Sequence, residues 1–445
     1  MEKRIGIRRE SIEPTEGRAP LSPLQVYRII ENNNIKILIQ PSGQRMFRDE
    51  EYAENGAILS EDLSSCDIIL GVKEVPIEEL IPDKVYIFFS HTIKGQEYNM
   101  PRLEKILEKN ITLIDYELVK NEFGKRIIFF GEFAGYVGMI NSLWIMGQRL
   151  LHEGIANPFR LIKQANSYES LEKAKKAVMK AGERISNIGL SYDLVPFIAG
   201  FTGYGRVSKG AQEIFDLLPV VEIRPEDLSD FIKEGKFSNR VVYKCEFRKL
   251  DLYEHSPKTD LFDLHELELH PDEYQTAFEK FVPFLSVLIN GIYWEPRFPK
   301  LVTKEFMKSL SAATDNPKLK VIGDITCDIE GSIELTVKSA NSLNPCFTYN
   351  PINNRVVDGW KGKGVTIMSV DKLPAELPRE ATASFGKALS PFIPALAKTD
   401  FSKSFSELKL PREFRHAVIT HGGILTPEFE YLNEFLYPIL KNPSI

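Results

Sequence analysis

One stretch of this chain leaves the backbone around it little freedom. Leu194 to Thr202 is an apolar, strand-like run, and Gly203-Tyr204-Gly205-Arg206-Val207-Ser208-Lys209-Gly210 is a glycine-rich turn. Ala211 to Leu218 is helical in pattern, and Val220 to Ile223 reads as the next strand, ending near Glu222. Strand, glycine turn, helix and strand in that order predict a parallel sheet covered by helices. Two glycines let the chain turn tightly and approach a phosphate, which the free amides of a helix N-terminus stabilise. The acid 19 positions after the first glycine completes a dinucleotide-binding pattern. Ser208 stands where the third glycine of that pattern falls; it is small enough for close packing and able to donate a hydrogen bond to phosphate.

The N-terminal third repeats the alternation of strand and helix. Ile35 to Gln40, Asp67 to Val72, Val85 to Ser90 and Ile111 to Asp115 read as strands, with helices over Pro23 to Asn32 and Pro101 to Lys109. Phe133 to Glu153, with Ala134, Gly135 and Gly138, predicts a long helix leading into a second domain. Arg224 to Lys320 is less regular and reads as an elaboration of the nucleotide-binding part. Lys320 to Asp324 is another strand ending in an acid, and from Leu373 the pattern is helical again and returns to the first domain.

Lys73 and His91 each follow directly on an apolar run. Open α/β sheets place their chemistry at the carboxyl ends of strands, and two proton carriers at neighbouring ends suit acid/base work. Arg18 and Asp324 also lie beyond strand-like runs. Taken singly, such residues are more often solvated charges or structural groups; their coincidence at several strand ends brings the functional reading level with the structural one. A lysine acting as base near neutral pH needs its pKa lowered from about 10.4 by burial or a neighbouring cation. The adjacent Glu74 opposes that and is expected to hold Lys73 charged.

At 445 residues the chain is long enough for two or three domains. Its 56 basic and 62 acidic residues are well mixed and give a net charge of −6, which disfavours nucleic acid and anionic membrane as partners. The charged start predicts no export or import signal, and four scattered cysteines suit a reduced compartment, so a cytoplasmic location is expected. The apolar stretch around Gly138 to Gly147 is too short to span a bilayer. His265-Glu266-Leu267-Glu268-Leu269-His270 looks metal-like, but histidines five apart share no helical face, and no metal is expected. Ser90 beside His91 lacks the Gly-x-Ser-x-Gly elbow of a nucleophilic serine.

Several ordered segments then match one family. Gly6-Ile7-Arg8-Arg9-Glu10, Arg18-Ala19-Pro20-Leu21-Ser22-Pro23, Gly71-Val72-Lys73, Phe88-Phe89-Ser90-His91-Thr92-Ile93-Lys94, Ala134-Gly135 and the turn from Phe201 to Ala211 take part. With Asp324 to Glu334 and Leu373 to Thr382, they resemble the lysine-ketoglutarate reductase domain of aminoadipic semialdehyde synthase, in a superfamily with lysine-forming saccharopine dehydrogenases and alanine dehydrogenase. The resemblance implies two Rossmann-like, doubly wound α/β domains with a cleft between them. Residues 1 to 134 with 372 to 445 would form a discontinuous substrate domain, and 135 to 371 the dinucleotide domain.

It also implies condensation of lysine with 2-oxoglutarate and reduction of the imine by NAD(P)H to saccharopine, or the reverse. Lys73 and His91 would be the acid/base pair, Arg18 and Arg126 the binders of substrate carboxylates, and Glu74 and Glu117 the groups that tune protonation. Gly203, Gly205, Arg206 and Val207 would line the pyrophosphate, and Asp324 and Leu373 the nicotinamide side. Glu222 is placed to accept both ribose hydroxyls, which favours NAD slightly: a 2′-phosphate at 4 Å would cost about 4 kcal/mol per unit charge pair at an effective dielectric of 20. Arg224 offsets this in part, so NADP stays open. A glutamate-forming saccharopine dehydrogenase, fused to this domain in animal and plant relatives, is expected on a separate polypeptide. The competing expectations are an alanine-dehydrogenase-like enzyme using ammonia, and a non-catalytic NAD(P)-binding sensor or partner subunit.

Overall fold

In the computed structural model, which describes residues 3–12, 15–256, 262–314 and 316–436, the apolar runs of the N-terminal third become β1 (Lys3–Ile7), β2 (Ile35–Ile39), β3 (Ile58–Leu59), β4 (Ile68–Leu70), β5 (Val85–Phe88) and β6 (Thr112–Asp115). Strands β17 (Val418–His421) and β18 (Ile424–Leu425) complete an eight-stranded sheet of order β18-β17-β6-β5-β4-β1-β2-β3. β1 to β6 run parallel, while β17 lies antiparallel against β6.

Central strands of a parallel sheet are covered on both faces, so they read as unbroken apolar runs. Ile68 and Leu70 face one core with Ile5, Ile7 and Ile87, whereas Ile69 faces the other with Leu38, Tyr86 and Phe88. Helix Pro23–Asn32 begins on a Ser22–Gln25 capping box with Pro23 in its first turn, and buries Val26 and Ile29. Helix Pro378–Leu389 returns to the same core through Phe385 and Leu389. The C-terminal segment thus supplies strands β17 and β18 as well as helices; their short, partly polar sequences carry little strand signal.

Residues Met1–Phe130 with Pro378–Ile445 form one unit and Gly131–Leu377 a second. The second is built on β7 (Ile198–Thr202), β8 (Val220–Glu222), β9 (Val242–Phe247), β12 (Val287–Asn290), β13 (Val321–Asp324), β14 (Cys346–Asn350), β15 (Arg355–Asp358) and β16 (Val365–Met368). Their order is β15-β14-β16-β13-β12-β7-β9-β8, with only β14 running against the others and so antiparallel to both its neighbours, β16 and β15. A separate hairpin joins β10 (Tyr253–His255) to β11 (Tyr274–Thr276).

Helix Gly131–His152 crosses the helix Arg206–Phe215 at backbone distance. A Cβ on Gly135 would lie 2.1 Å from the Val207 carbonyl oxygen, and one on Gly210 would lie 2.4 Å from that of Glu132. Glycine at both positions is what lets the two helices touch. Both units are doubly wound α/β sheets flanked by helices, two Rossmann-like domains in one chain.

Candidate active site

In the first unit the chain passes from β1 outward to β2 and β3, then returns to β4 on the other side of β1. Ligands of open α/β sheets bind outside the carboxyl ends at such a reversal. Lys73 follows β4 and His91 follows β5, the strand next to it. The ladder between them runs on, with the Gly71 amide donating to the Ile87 carbonyl at 3.0 Å and the Phe89 amide to that of Val72 at 3.1 Å. Both residues therefore emerge at one level of the sheet edge.

His91 has φ +53°, a left-handed conformation uncommon outside glycine and asparagine. Its carbonyl accepts from Asn99 Nδ2 at 2.8 Å, and Arg102 donates to Asn99 Oδ1 at 2.6 Å and to the Val75 carbonyl at 2.9 Å. The ring lies nearly parallel to Phe89, and Nδ1 sits 2.5 Å from Glu74 Oε1. Glu74 was expected to hold Lys73; its hydrogen-bond partner is His91. Burial alone would raise the Glu74 carboxyl, but the hydrogen bond and charge of His91 outweigh it and hold it at about 2. An ionised Glu74 fixes the proton on Nδ1 and leaves Nε2 for exchange with a ligand.

Arg18 is buried, and its guanidinium lies 4.3 Å from the Phe130 ring centre. Its Nε donates to Glu16 Oε1 at 2.7 Å and its Nη2 to Glu16 Oε2 at 2.5 Å. The fork expected for a substrate carboxylate thus already holds an internal one, with Nη1 as the donor that Glu16 does not engage. Burial would raise Glu16, but the Arg18 hydrogen bonds win, and it stays below the ordinary carboxylate range. Phe89, Tyr116, Phe130 and Phe385 form a continuous aromatic cluster from the Arg18 stack to the His91 ring. Arg126 and Glu117, expected respectively to bind an anion and to tune the pair, face each other at 3.4 Å. Ser90 is buried and donates through its amide and hydroxyl to Asp115.

Two acids escaped the sequence reading. Glu16 is one. Glu10, only 6% exposed, accepts the amides of Val72 at 2.8 Å and Lys73 at 3.0 Å. The available signal was the charged run Arg8-Arg9-Glu10 and the Glu16-Gly17-Arg18 pair, each between apolar segments.

In the second unit β7 ends at Thr202 and Gly203 turns with φ +82°. Gly205 caps the helix Arg206–Phe215, which starts five residues before the expected Ala211 and puts Arg206, Val207 and Ser208 in its first turn. Gly205 has no side chain with which to cap it, and a helix N-terminus of this kind is suited to an anion. Gly203, Tyr204, Gly205, Gly291, Lys249 and Arg297 help line a cavity of about 380 Å³. Ser208 does not face this cavity's lining; it is buried, and its Oγ accepts from Gln212 Nε2 at 3.2 Å.

Glu222 lies on β8, the edge strand of this sheet, and β9 stands between β8 and β7. Glu222 is held by Lys244 Nζ at 2.8 Å, and Lys244 also donates to Asp216 at 2.7 Å. Burial would lower the Lys244 ammonium, but the two carboxylates raise it. The acid at the end of the strand beside β7 is Glu246, bound by Gln212 at 2.9 Å and Arg248 at 3.2 Å. Glu222, Arg224, Lys244, Glu246 and Arg248 line a cavity of about 410 Å³.

Asp324, at the end of β13, is fully buried and accepts from Thr326, Thr336 and Asn290, and burial pushes its carboxyl up despite those bonds. Leu373 is also buried and packs beneath Gly138. Both are core groups here. Neither half of the His265–His270 motif forms a two-histidine site; its Glu266 lies beside His255 and Glu273, and His255 Nε2 is 3.9 and 3.4 Å from those two acids.

Residues 6–137 match the family model for the alanine dehydrogenase/PNT N-terminal domain. Alpha-aminoadipic semialdehyde synthase from Arabidopsis thaliana is 39% identical over 96% of this chain and 41% of its own length. The Bos taurus enzyme of that name, named as mitochondrial, is 38% identical over 97% of this chain and 47% of its own. This chain therefore spans less than half the length of those relatives. A saccharopine dehydrogenase [NAD(+), L-lysine-forming] from Emericella nidulans is 26% identical over 87% of this chain and 90% of its own. Among solved structures, an L-alanine dehydrogenase superposes with a TM-score of 0.57 at 18% identity, covering 97% of this chain and 99% of its own, a likeness of fold.

The mitochondrial relatives overturn the expectation of a cytoplasmic location. Among the described residues no helix is long and apolar enough to cross a membrane. The chain is a homologue of the alpha-aminoadipic semialdehyde synthases and saccharopine dehydrogenases, with an N-terminal domain of the alanine dehydrogenase/PNT type.

Proposed function

We propose that this chain is an NAD(P)-dependent oxidoreductase that interconverts saccharopine with lysine and 2-oxoglutarate. The observation that carries the reading is the Glu74–His91 pair set beside Lys73 on adjacent parallel strand ends, in a chain homologous to enzymes of that chemistry. His91 exchanges a proton at Nε2 while Glu74 holds Nδ1. Lys73 supplies the second proton carrier, and between them they serve the two proton transfers of carbinolamine formation and loss of water. The dinucleotide, when bound, supplies or accepts hydride at the carbon that becomes or ceases to be the imine carbon.

Arg18, through Nη1, and Arg126 bind substrate carboxylates, a task suited to guanidinium. Glu117 tunes this edge through Arg126. The unit containing residues 1–130 and 378–445 carries the substrate, and 131–377 carries the cofactor. Gly203, Gly205, Arg206 and Val207 hold the pyrophosphate. The adenosine ribose lies toward Glu246 and Glu222. Arg224, Lys244 and Arg248 each already pair with carboxylates, which favours the unphosphorylated ribose of NAD over NADP.

The test is oxidation of NADH and of NADPH with lysine plus 2-oxoglutarate, beside ammonia plus pyruvate. Turnover with the first pair, faster with NADH, is expected. Turnover with ammonia and pyruvate alone would replace the proposal by an alanine-dehydrogenase reading, and a higher kcat/KM for NADPH would reverse the cofactor assignment.

A further inference from the structure

At the carboxyl end of β4 the sheet ladder runs out just where Lys73 must be held. The amides of Val72 and Lys73 point across the reversal toward β1, and a buried amide without an acceptor is costly. After β1 the Arg8 amide still donates to the Leu70 carbonyl at 3.0 Å. Two residues on, Glu10 turns back over Gly71. Its Oε1 accepts from Val72 and its Oε2 from Lys73, one oxygen for each consecutive amide.

Gly71 lies close under both side chains: a Cβ there would press on Arg8 Cδ at 3.2 Å and meet Glu10 Oε1 at an ordinary 3.6 Å. Arg8 in turn is anchored by Ser11 and Glu79, each at 2.8 Å, and lies 3.5 Å from Glu10. The charged or titratable groups around Glu10 are Arg8, Glu16, Arg45, Lys73 and Tyr116. Tyr116 is fully buried and its hydroxyl has no hydrogen-bond partner among the described residues. Glu10 is therefore the group whose two oxygens tie the β1 end to the β4 end.

We infer that Glu10 is a positioning residue, a carboxylate clamp that fixes the backbone of Lys73 and so the place of its amine; its kinetic consequence rests on the function proposed above. Glutamine keeps the shape but offers one carbonyl oxygen and turns an NH₂ toward an amide. Aspartate keeps both acceptors but is one methylene short.

The experiment compares wild type with Glu10→Gln and Glu10→Asp. In Glu10→Gln, kcat for lysine plus 2-oxoglutarate should fall at least roughly tenfold with KM little changed, because misplacement of a reacting group acts on the rate. The pH profile should also shift. Independently, the rate of acylation of the Lys73 amine, read by peptide mass mapping against Lys94, should rise in Glu10→Gln and fall back toward wild type in Glu10→Asp. Unchanged folding of the first unit is checked by the urea unfolding midpoint and near-ultraviolet circular dichroism of the full chain. Equal kcat, pH profile and Lys73 labelling in Glu10→Gln would overturn the clamp. If the wild type does not turn over these substrates, the proposed function fails, and the labelling comparison alone still decides the clamp.

Discussion

His91 is held from two directions, its backbone by Asn99 and Arg102 and its ring by Glu74 and Phe89. A left-handed backbone at a non-glycine residue costs on the order of 1 kcal/mol and is kept where surroundings dictate it. Glu74→Gln replaces the carboxylate that holds His91 Nδ1, so the ring loses the partner that fixes its tautomer and orientation and kcat should fall by roughly tenfold or more. An unchanged kcat counts against the role of Glu74. Because the folded Glu74 carboxyl sits near 2 against an ordinary 4.5, its contribution to stability is complete above about pH 4.5 and drains away as pH falls toward 2. Urea midpoints at pH 6 and pH 3 should therefore lie closer together in Glu74→Gln than in wild type. The residue types at this edge were legible in the sequence, because apolar runs announce where strands end. Their partners were not. Glu74 choosing His91 over its neighbour Lys73, and Arg18 choosing Glu16, depend on how loops from different strands fold over one edge.

Among the elements, the tightest constraint is the crossing of helices Gly131–His152 and Arg206–Phe215. Gly135→Ala would push a methyl to 2.1 Å from the Val207 carbonyl oxygen, so one helix has to move. A loss of roughly 2–3 kcal/mol is expected, the range of overpacked cores, and NAD(P)H should bind more weakly because Val207 is in the first turn after the glycine loop. Thermal denaturation and cofactor titration measure the two effects, and a variant as stable as wild type would show that the crossing has slack. Helix Pro23–Asn32 matched its predicted range, since its capping box and proline mark the start locally. Strand β9 was missed because Lys244 and Glu246 interrupt its apolar pattern, although both are satisfied by partners from other elements. The position of Glu222 on the sheet edge was not legible either, because strand order in space is set by crossovers and packing that no local pattern encodes.

For the whole molecule, the two units differ in how the chain supplies them. Residues 131–377 are continuous, hold their own core and contain the glycine turn. Expressed alone, this segment should fold and bind NAD(P)H, as domains with their own core do; a cooperative unfolding transition and a fluorescence titration test this, and an unfolded product would refute it. The first unit needs both ends of the chain. Leu113 of β6 receives its hydrogen-bond partner from Thr420, 307 residues later. During synthesis β6, whose four residues are all buried in the finished fold, accordingly waits as an unpaired sheet edge while the entire second unit emerges from the ribosome. The nascent chain, far more than the finished protein, is where this architecture is exposed to aggregation, and slowed translation or loss of chaperone capacity should be felt there first.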